Sequence, residues 1–301
     1  MSRVTKVKRQ RSRHDRLWLG IFLIPNLSMY ALFILVPSLA GVLLSFCKWR
    51  LIGPLEWVGF ENYRSLLHDD YFLPALGRSA LFILYGVIPT VFLGFLLAVL
   101  LNWKVKGISI FRTMFFVPIT ISSAVAGISW SSIMAPDSGV INSVLKKVGI
   151  NGPQWLTDLT WALPSITIIV IWLSIPVVII LYLSGLQRIA PEILEAGVLD
   201  GAGNWRRIWS IIFPCVASTT QLVIILEVLA FLGSPFEVSL IMTQGGPLDS
   251  TTSLSYYAYK EAFERFRIGY SSAIVIVQFL IFLTVAGVIF LIHKFIKKRA
   301  N

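Results

Sequence analysis

The chain has 301 residues, of which 56% are hydrophobic and 14% are charged, and its mean hydropathy is +0.78. This balance excludes an ordinary soluble domain. The net charge of +11 does not indicate nucleic-acid binding, because the basic residues are concentrated in alternate segments between long apolar runs.

Long runs without charged residues follow one another along the chain, and each exceeds the roughly 20 residues that an α-helix needs to cross a bilayer. Because lipid offers no hydrogen-bond partners to the backbone, such runs must be helical. The sequence therefore predicts an all-α integral membrane protein, with a basic tail at residues 1–16 and a single transmembrane domain at residues 17–301. The six predicted transmembrane helices cover about residues 17–46, 79–103, 113–135, 160–187, 208–236 and 268–293.

The distribution of lysine and arginine predicts the orientation of these spans. The tail holds seven of them, residues 104–112 three, residues 188–207 three, and the segment after His293 four. The other nine are spread over the longer alternate loops. Basic residues accumulate on the cytoplasmic side, so both termini are expected to be cytoplasmic.

The sequence offers no chemistry of its own for a reaction. Its three histidines have no metal-ligand spacing, and it contains no G-x-x-x-x-G-K-[ST] segment. We therefore predict no catalytic residue, no metal site and no cofactor bound by this chain. Any ATP would be hydrolysed by a partner.

A short polar stretch separates the fourth and fifth predicted spans. It reads Glu195-Ala196-Gly197, three residues, Gly201, nine residues, and Ile211-Ile-Phe213-Pro214. This spacing resembles the EAA loop of the permease subunits of ABC importers, whose pattern is Glu-Ala-Ala, three residues, Gly, nine residues and Ile-x-Leu-Pro. Gly197 stands for the second alanine and Phe213 for the leucine.

The resemblance implies that the loop at residues 192–204 is a cytoplasmic coupling helix that docks into a cleft on an ATPase subunit. Pro191 suits the first turn of such a helix, and Gly201 suits the left-handed residue that ends it. Asn204 is then the expected N-cap of the next helix. The candidate coupling residues are Glu192, Glu195, Ala196, Asp200, Gly201, Ala202 and Pro214.

The fourth and fifth spans carry polar and helix-breaking residues. Pro176 and Pro235 each predict a break, because proline removes a helix hydrogen bond, although structural kinks alone would also explain them. Glu227 is the one acid inside the predicted spans and costs about 2.5–3.5 kcal/mol there when ionised, so it is expected to be buried, paired or functional. The candidate substrate-pathway residues are Ser174, Val177, Glu227, Phe231, Ser234 and Phe236.

A second motif follows the fifth span. Thr243-Gln-Gly-Gly-Pro247, Thr251-Thr252 and the segment from Tyr256 to Phe263 resemble the Thr-x-Gly-Gly-Pro block of oligosaccharide-type permeases. These include the maltose, lactose, multiple-sugar and glycerol-3-phosphate systems. The resemblance implies a sugar or oligosaccharide as the transported solute. The two resemblances together cover most of residues 15–297.

The expected protein is a permease subunit of an ATP-driven sugar importer with the ABC importer permease fold, and not an enzyme. The expected partners are a second permease subunit, two ATPase subunits as a homodimer, an extracytoplasmic solute-binding protein and the lipid membrane, with no nucleic acid. An ABC permease for a polyamine, phosphate or peptide remains open. An ion-coupled secondary transporter and a membrane enzyme are less well supported, because the spans lack a relay of charged groups and the loops lack clustered acids or histidines.

Overall fold

The computed structural model describes residues 13–103 and 107–300, and this part of the chain is mostly helical. Residues 1–12 of the predicted basic tail and residues 104–106 of a predicted basic loop lie outside the described residues. Short π-helical segments occur at Ala31–Leu35, Ile208–Ile212 and Lys260–Glu264, and a 3-10 segment occurs at Val117–Thr120. In chain order, the regular elements are α1 (Arg13–Tyr30), α2 (Val36–Ser45), β1 (Cys47–Lys48), β2 (Glu56–Trp57), α3 (Glu61–Leu66), α4 (Phe72–Leu101), α5 (Ile108–Phe116), α6 (Ser123–Ile133), α7 (Val140–Lys147), α8 (Ala162–Leu186), α9 (Pro191–Leu199), α10 (Asn204–Arg207), α11 (Phe213–Cys215), α12 (Ala217–Met242), α13 (Leu254–Tyr259) and α14 (Ile268–Ala300).

Five helices among the described residues are long and apolar enough to span a membrane, and a bent pair supplies a sixth span if it is counted as one. The single-helix spans are Gly20–Ser45, Phe72–Leu101, Ala162–Leu186, Ala217–Met242 and Ile268–Phe295. The bent pair joins Ile108–Thr120 to Ser123–Ile133 at an angle of 106°. The predicted span at residues 113–135 is therefore a broken one, because the chain becomes extended at Ile121 (φ −101°, ψ 129°) and a new helix begins.

Two other spans have boundaries that differ from the prediction. The second begins at Phe72 rather than at residue 79, and the fifth is Ala217–Met242 rather than residues 208–236. The prediction stopped each span at a charged residue, whereas Arg78 and Glu237 lie inside helices near their ends, where a charged group can reach the interface. Residues 208–216 form a separate irregular segment, because Pro214 cannot donate a helix hydrogen bond and Val216 leaves the helical conformation (φ −97°, ψ 13°).

The predicted breaks at Pro176 and Pro235 are also wrong. Helix α8 continues through Pro176, and helix α12 continues through Pro235. Each proline removes one backbone hydrogen bond, but a full break would leave several more backbone groups without partners in an apolar environment. A continuous helix is therefore the less costly solution at both positions.

Helices α4, α8 and α12 pack together as the core of the bundle, and small residues allow their close approach. Gly86 faces the ring of Phe231, and a Cβ atom at residue 86 would overlap that ring. Gly94 faces Val178 in the same way. The side chain of Phe231 is fully buried as a result of this packing.

Different residues and segments form the two ends of the bundle. At one end, which we call the α9 end, Leu101, Leu186 and Val216 share an apolar cluster, and helix α9 follows directly after α8. At the opposite end, Leu66, Phe72 and Tyr270 share another cluster, and the long loops gather there. Helix direction alternates along the chain, so residues 187–207 lie at the α9 end. The opposite end holds the segments around residues 46–71, 134–161 and 243–267.

Candidate functional site

Helix α9 forms at the position of the EAA-like motif and is bounded by a proline and a glycine. Pro191 is the first helical residue, where its missing N–H has no partner to lose. Gly201 adopts a φ of +73°, as predicted, and Ala202 N–H donates to Gly197 O at 3.0 Å across the helix end. The result is a nine-residue helix that is separated from both flanking spans.

The start of the next helix differs from the prediction by one residue. The N-cap of α10 is Gly203, in the extended conformation, and Asn204 is the first helical residue. The Asn204 side chain accepts a hydrogen bond from Arg207 Nη2 at 3.0 Å instead of capping the helix. The prediction failed because asparagine is also tolerated inside the first turn, where a side-chain partner is in reach.

Helix α9 has one buried residue and an exposed acidic surface. Gly197 is buried, and a Cβ atom at this position would overlap the side chain of Ile211. Glycine lets α9 lie close to the following segment, and an alanine methyl group here would meet only the flexible tip of Ile211. The exposed candidate coupling residues are Glu192, Glu195, Ala196, Asp200, Gly201 and Pro214, and Ala202 is half-buried.

A cleft of about 620 Å³ lies between α9 and the spans beside it. Leu194 and Val198, one helical turn apart, line this cleft together with Glu195. Trp103 and Arg207 line its other parts. The cleft therefore lies between the surface of α9 and the ends of two spans.

A second cavity, of about 350 Å³, is partly open, lies between α8, α12 and the bent pair, and brings together four of the six candidate substrate-pathway residues. Ser174, Val177, Glu227 and Ser234 line it, from two neighbouring helices. Glu227 is 4% exposed, and Ser174 is within hydrogen-bonding reach of its carboxylate. The Oε2 atom of Glu227 has no hydrogen-bond partner among the described residues. An unpaired acceptor in a cavity can bind a hydroxyl or an amine.

The two aromatic candidates do not line this cavity. Phe231, one helical turn after Glu227, is buried in the core with its ring against Gly86 of α4. Phe236 lies near the opposite end of the bundle, where its ring is 5.6 Å from that of Tyr256 and 5.1 Å from that of Tyr259. Phe236 is nine residues after Glu227 and therefore lies on the opposite side of α12, whereas the Phe231 ring packs against α4 instead of lining the cavity. A role of either ring in the substrate pathway stays a prediction.

The bent pair of helices supplies cavity residues that the sequence analysis missed. Pro118, Ile119 and Ser123 line the cavity from the two arms of the bend. The sequence did contain a signal for the new helix that begins at Ser123. Ser122 is a suitable N-cap, and its Oγ accepts from Val125 N–H at 3.3 Å. Glu237 was missed as an acid within a span, since the predicted span ended one residue before it.

The Thr-x-Gly-Gly-Pro motif folds as one local unit at the opposite end. The hydroxyls of Thr243 and Thr251 are 2.7 Å apart, and Thr251 Oγ1 donates to Gly246 O at 3.0 Å. Lys260 Nζ lies 2.9 Å from Asp249 Oδ1. Burial raises the pKa of Asp249, but the hydrogen bond and charge of Lys260 outweigh this effect and hold the pKa below its usual value.

Comparisons with known proteins agree with this architecture. Residues 78–301 match the family described as "Binding-protein-dependent transport system inner membrane component". The chain is 33% identical over 273 residues to the probable ABC transporter permease protein YurN of Bacillus subtilis (strain 168), covering 88% of this chain and 92% of that protein. It is 31% identical over 268 residues to the multiple sugar-binding transport system permease protein MsmF of Streptococcus mutans serotype c, covering 89% and 92%.

A solved structure has a similar fold. It is a bacterial alginate ABC transporter in complex with an alginate pentasaccharide-bound periplasmic protein, and one of its chains superposes with a TM-score of 0.79. The two chains are 22% identical, and the superposition covers 97% of this chain and 98% of that chain.

Proposed function

Because the chain belongs to the family of binding-protein-dependent transport system inner membrane components, we propose that it forms half of the pathway of an ATP-driven importer for a sugar or oligosaccharide. It is a membrane-embedded permease subunit and not an enzyme. The match over residues 78–301, which contain both α9 and the Glu227 cavity, is the observation that carries this function.

The solute is proposed to pass the cavity around Glu227. The unpaired Oε2 of Glu227 and the hydroxyls of Ser174 and Ser234 offer acceptors and donors to sugar hydroxyl groups. The apolar wall, which includes Val177, suits the flat faces of a pyranose ring. The sugar assignment is supported by the Thr243–Phe263 motif and by the similarity to MsmF, whose name describes multiple-sugar transport.

Helix α9 is proposed to receive the movement of an ATPase subunit. Its acidic surface, with Glu192, Glu195 and Asp200, is exposed and free to be seated in a cleft of that subunit. Gly201 ends α9 sharply, and Pro214 lies in the first turn of α11, so α9 can move as a rigid body. Closure of the ATPase pair on ATP would then shift the permease between outward-facing and inward-facing arrangements.

The proposed complex contains a second permease subunit, two ATPase subunits and an extracytoplasmic solute-binding protein. ATP is bound by the ATPase subunits and not by this chain. We place the α9 end in the cytoplasm of a bacterial cell, with both termini on that side of the inner membrane. The basic residues of loop 188–207 support this orientation.

The test is a mild-detergent purification of the tagged chain from its native membrane, with mass identification of the proteins that co-purify. We expect a second permease of the same family and an ATPase with a Walker motif, and a co-purified binding protein would identify the sugar. Recovery of the chain alone, with uptake driven by a proton or sodium gradient, would contradict the proposal.

A further inference from the structure

The loop between α2 and α3 exposes large apolar side chains at the end of the bundle opposite α9. Strands β1 and β2 form its base, and we call residues 47–60 the hairpin loop. Ile52 is 90% exposed, Phe60 74% and Trp57 66%, and Leu51 and Leu55 are each more than half exposed. Such a concentration of apolar surface is unusual in a loop that faces only water.

Two basic side chains stand beside this apolar surface. Lys48 and Arg50 are exposed, and neither forms an ion pair within the described part of the chain. Both line a cavity of about 230 Å³ that also contains Asn62 and Arg267, and Glu61 is the acid at its wall.

The same two basic side chains line a second cavity, of about 280 Å³. Ile52 and Glu56 also line this cavity. Arg267, in the first cavity, lies 3.1 Å from the buried carboxylate of Glu261. It adds positive electrostatic potential to the cavity, but this ion pair holds its side chain in place. Lys48 and Arg50 are therefore the cations that remain available to a ligand.

The position of the hairpin loop places these groups at the membrane surface. Helix α2 ends at Ser45 and helix α14 begins at Ile268, so two spans leave the apolar layer beside the loop. The backbone of Trp49 accepts from Gly269 N–H at 3.4 Å, which fixes the loop to the start of α14. Lipid phosphates lie at this level, and basic residues next to tryptophan and aliphatic side chains are typical of interfacial segments.

We propose that the hairpin loop binds an anionic phospholipid, with the headgroup phosphate between Lys48 and Arg50 and with Ile52 and Leu55 in contact with the acyl boundary. Two unpaired cations side by side favour a lipid with net negative charge over phosphatidylcholine, whose choline group carries its own cation. The apolar side chains beside them distinguish a lipid from a free phosphate ion, which would gain nothing from Ile52 or Leu55. The lipid would hold the loop, and through it the outer ends of α2 and α14, at a fixed depth.

The experiment uses the purified transport complex in detergent and measures its thermal unfolding after addition of phosphatidylglycerol, phosphatidylcholine or inorganic phosphate. We expect phosphatidylglycerol to raise the unfolding temperature by several degrees more than phosphatidylcholine does, and phosphate to have no effect. The double variant Lys48→Ala, Arg50→Ala should lose most of the difference between the two lipids. The matched control Lys146→Ala, Lys147→Ala removes two exposed basic residues of α7 and should retain it.

A second measurement does not depend on the stability of a variant. A photoactivatable phosphatidylglycerol should cross-link to the peptide that contains residues 48–60 of the wild-type chain, and unlabelled phosphatidylglycerol should compete. Equal stabilisation by both lipids, an equal effect of inorganic phosphate, or cross-links elsewhere with none in this peptide would overturn the proposal. Loss of the second permease from the double variant, with the lipid response unchanged, would assign the surface to a protein contact instead.

Discussion

Asp69 and Tyr257, which are 188 residues apart, are joined by a hydrogen bond of 2.5 Å from the tyrosine hydroxyl to Asp69 Oδ2. The hydroxyl of Tyr270 donates to the same oxygen, and Tyr71 N–H donates to Oδ1 at 2.8 Å. Burial raises the pKa of Asp69, but these hydrogen bonds outweigh it and hold the pKa below its usual value. One carboxylate thus connects the start of α4 to α13 and to α14.

Replacement of Asp69 by asparagine should destabilise the end of the bundle opposite α9. An amide replaces the charged acceptor of two tyrosine hydroxyls, so we expect the free energy of unfolding to fall by about 1 kcal/mol, after allowance for partial exposure. Thermal unfolding of the complex in detergent measures the effect. Asp70→Asn is the matched control, because Asp70 is exposed, and it should leave the unfolding temperature unchanged.

The same pair of variants predicts a pH dependence. The folded pKa of Asp69 is lower than that of an unfolded aspartate, about 3.9, so its stabilisation is fully present above that value and is lost as the pH falls through the folded pKa. The difference in unfolding temperature between wild type and Asp69→Asn should therefore be constant near neutrality and should narrow below about pH 4. A difference that stayed constant down to pH 3 would show that Asp69 does not act as a carboxylate acceptor.

Replacement of Gly201 by valine should uncouple ATP hydrolysis from transport. A β-branched residue at a φ of +73° costs about 1–2 kcal/mol, so the end of α9 would change its conformation. We expect membrane insertion to be normal, while solute uptake and co-purification of the ATPase fall together. Gly203→Val is the matched control, because Gly203 has an extended backbone and open space around it. Normal uptake by Gly201→Val would remove α9 from the coupling role.

Replacement of Gly197 by leucine should displace α9 through a steric clash. A side chain at this position meets Ile211, whereas a single methyl group meets only its flexible tip. We therefore expect Gly197→Ala to transport normally and Gly197→Leu to lose coupling. Adding Ile211→Ala to Gly197→Leu should restore part of the uptake by making room. Failure of this second substitution to restore uptake, with the complex still assembled, would contradict the proposed contact.

Replacement of Glu227 by glutamine should reduce solute uptake without loss of the complex. The amide keeps the size of the side chain but removes the charge-assisted hydrogen bond, which corresponds to a loss of about tenfold or more in binding. Uptake into proteoliposomes and co-purification of the second permease separate transport from assembly. Glu237→Gln, on the same helix but outside the cavity, is the matched control. Unchanged uptake and assembly in Glu227→Gln would leave Glu227 without a role in the pathway.

Local patterns in the sequence predict much of this protein. Hydropathy predicts the helical membrane class and where most spans lie, because helices in lipid must satisfy their own backbone hydrogen bonds. Proline and glycine positions predict both ends of α9, because the required conformations are properties of single residues: Pro191 at the start and Gly201 at the end. The EAA-like and Gly-Gly-Pro motifs indicate the family before any contact between helices is known.

The tertiary structure alone decides which side chains meet. It brings Ser174, Glu227 and Ser123 into one cavity and excludes Phe231, because the direction of each side chain depends on how three helices pack and on the 106° bend before Ser123. It likewise joins Asp69 to Tyr257 across most of the chain. The sequence determines the segments and their breaks through local backbone chemistry, whereas contacts between distant segments depend on the packing of whole helix faces, which no local pattern encodes.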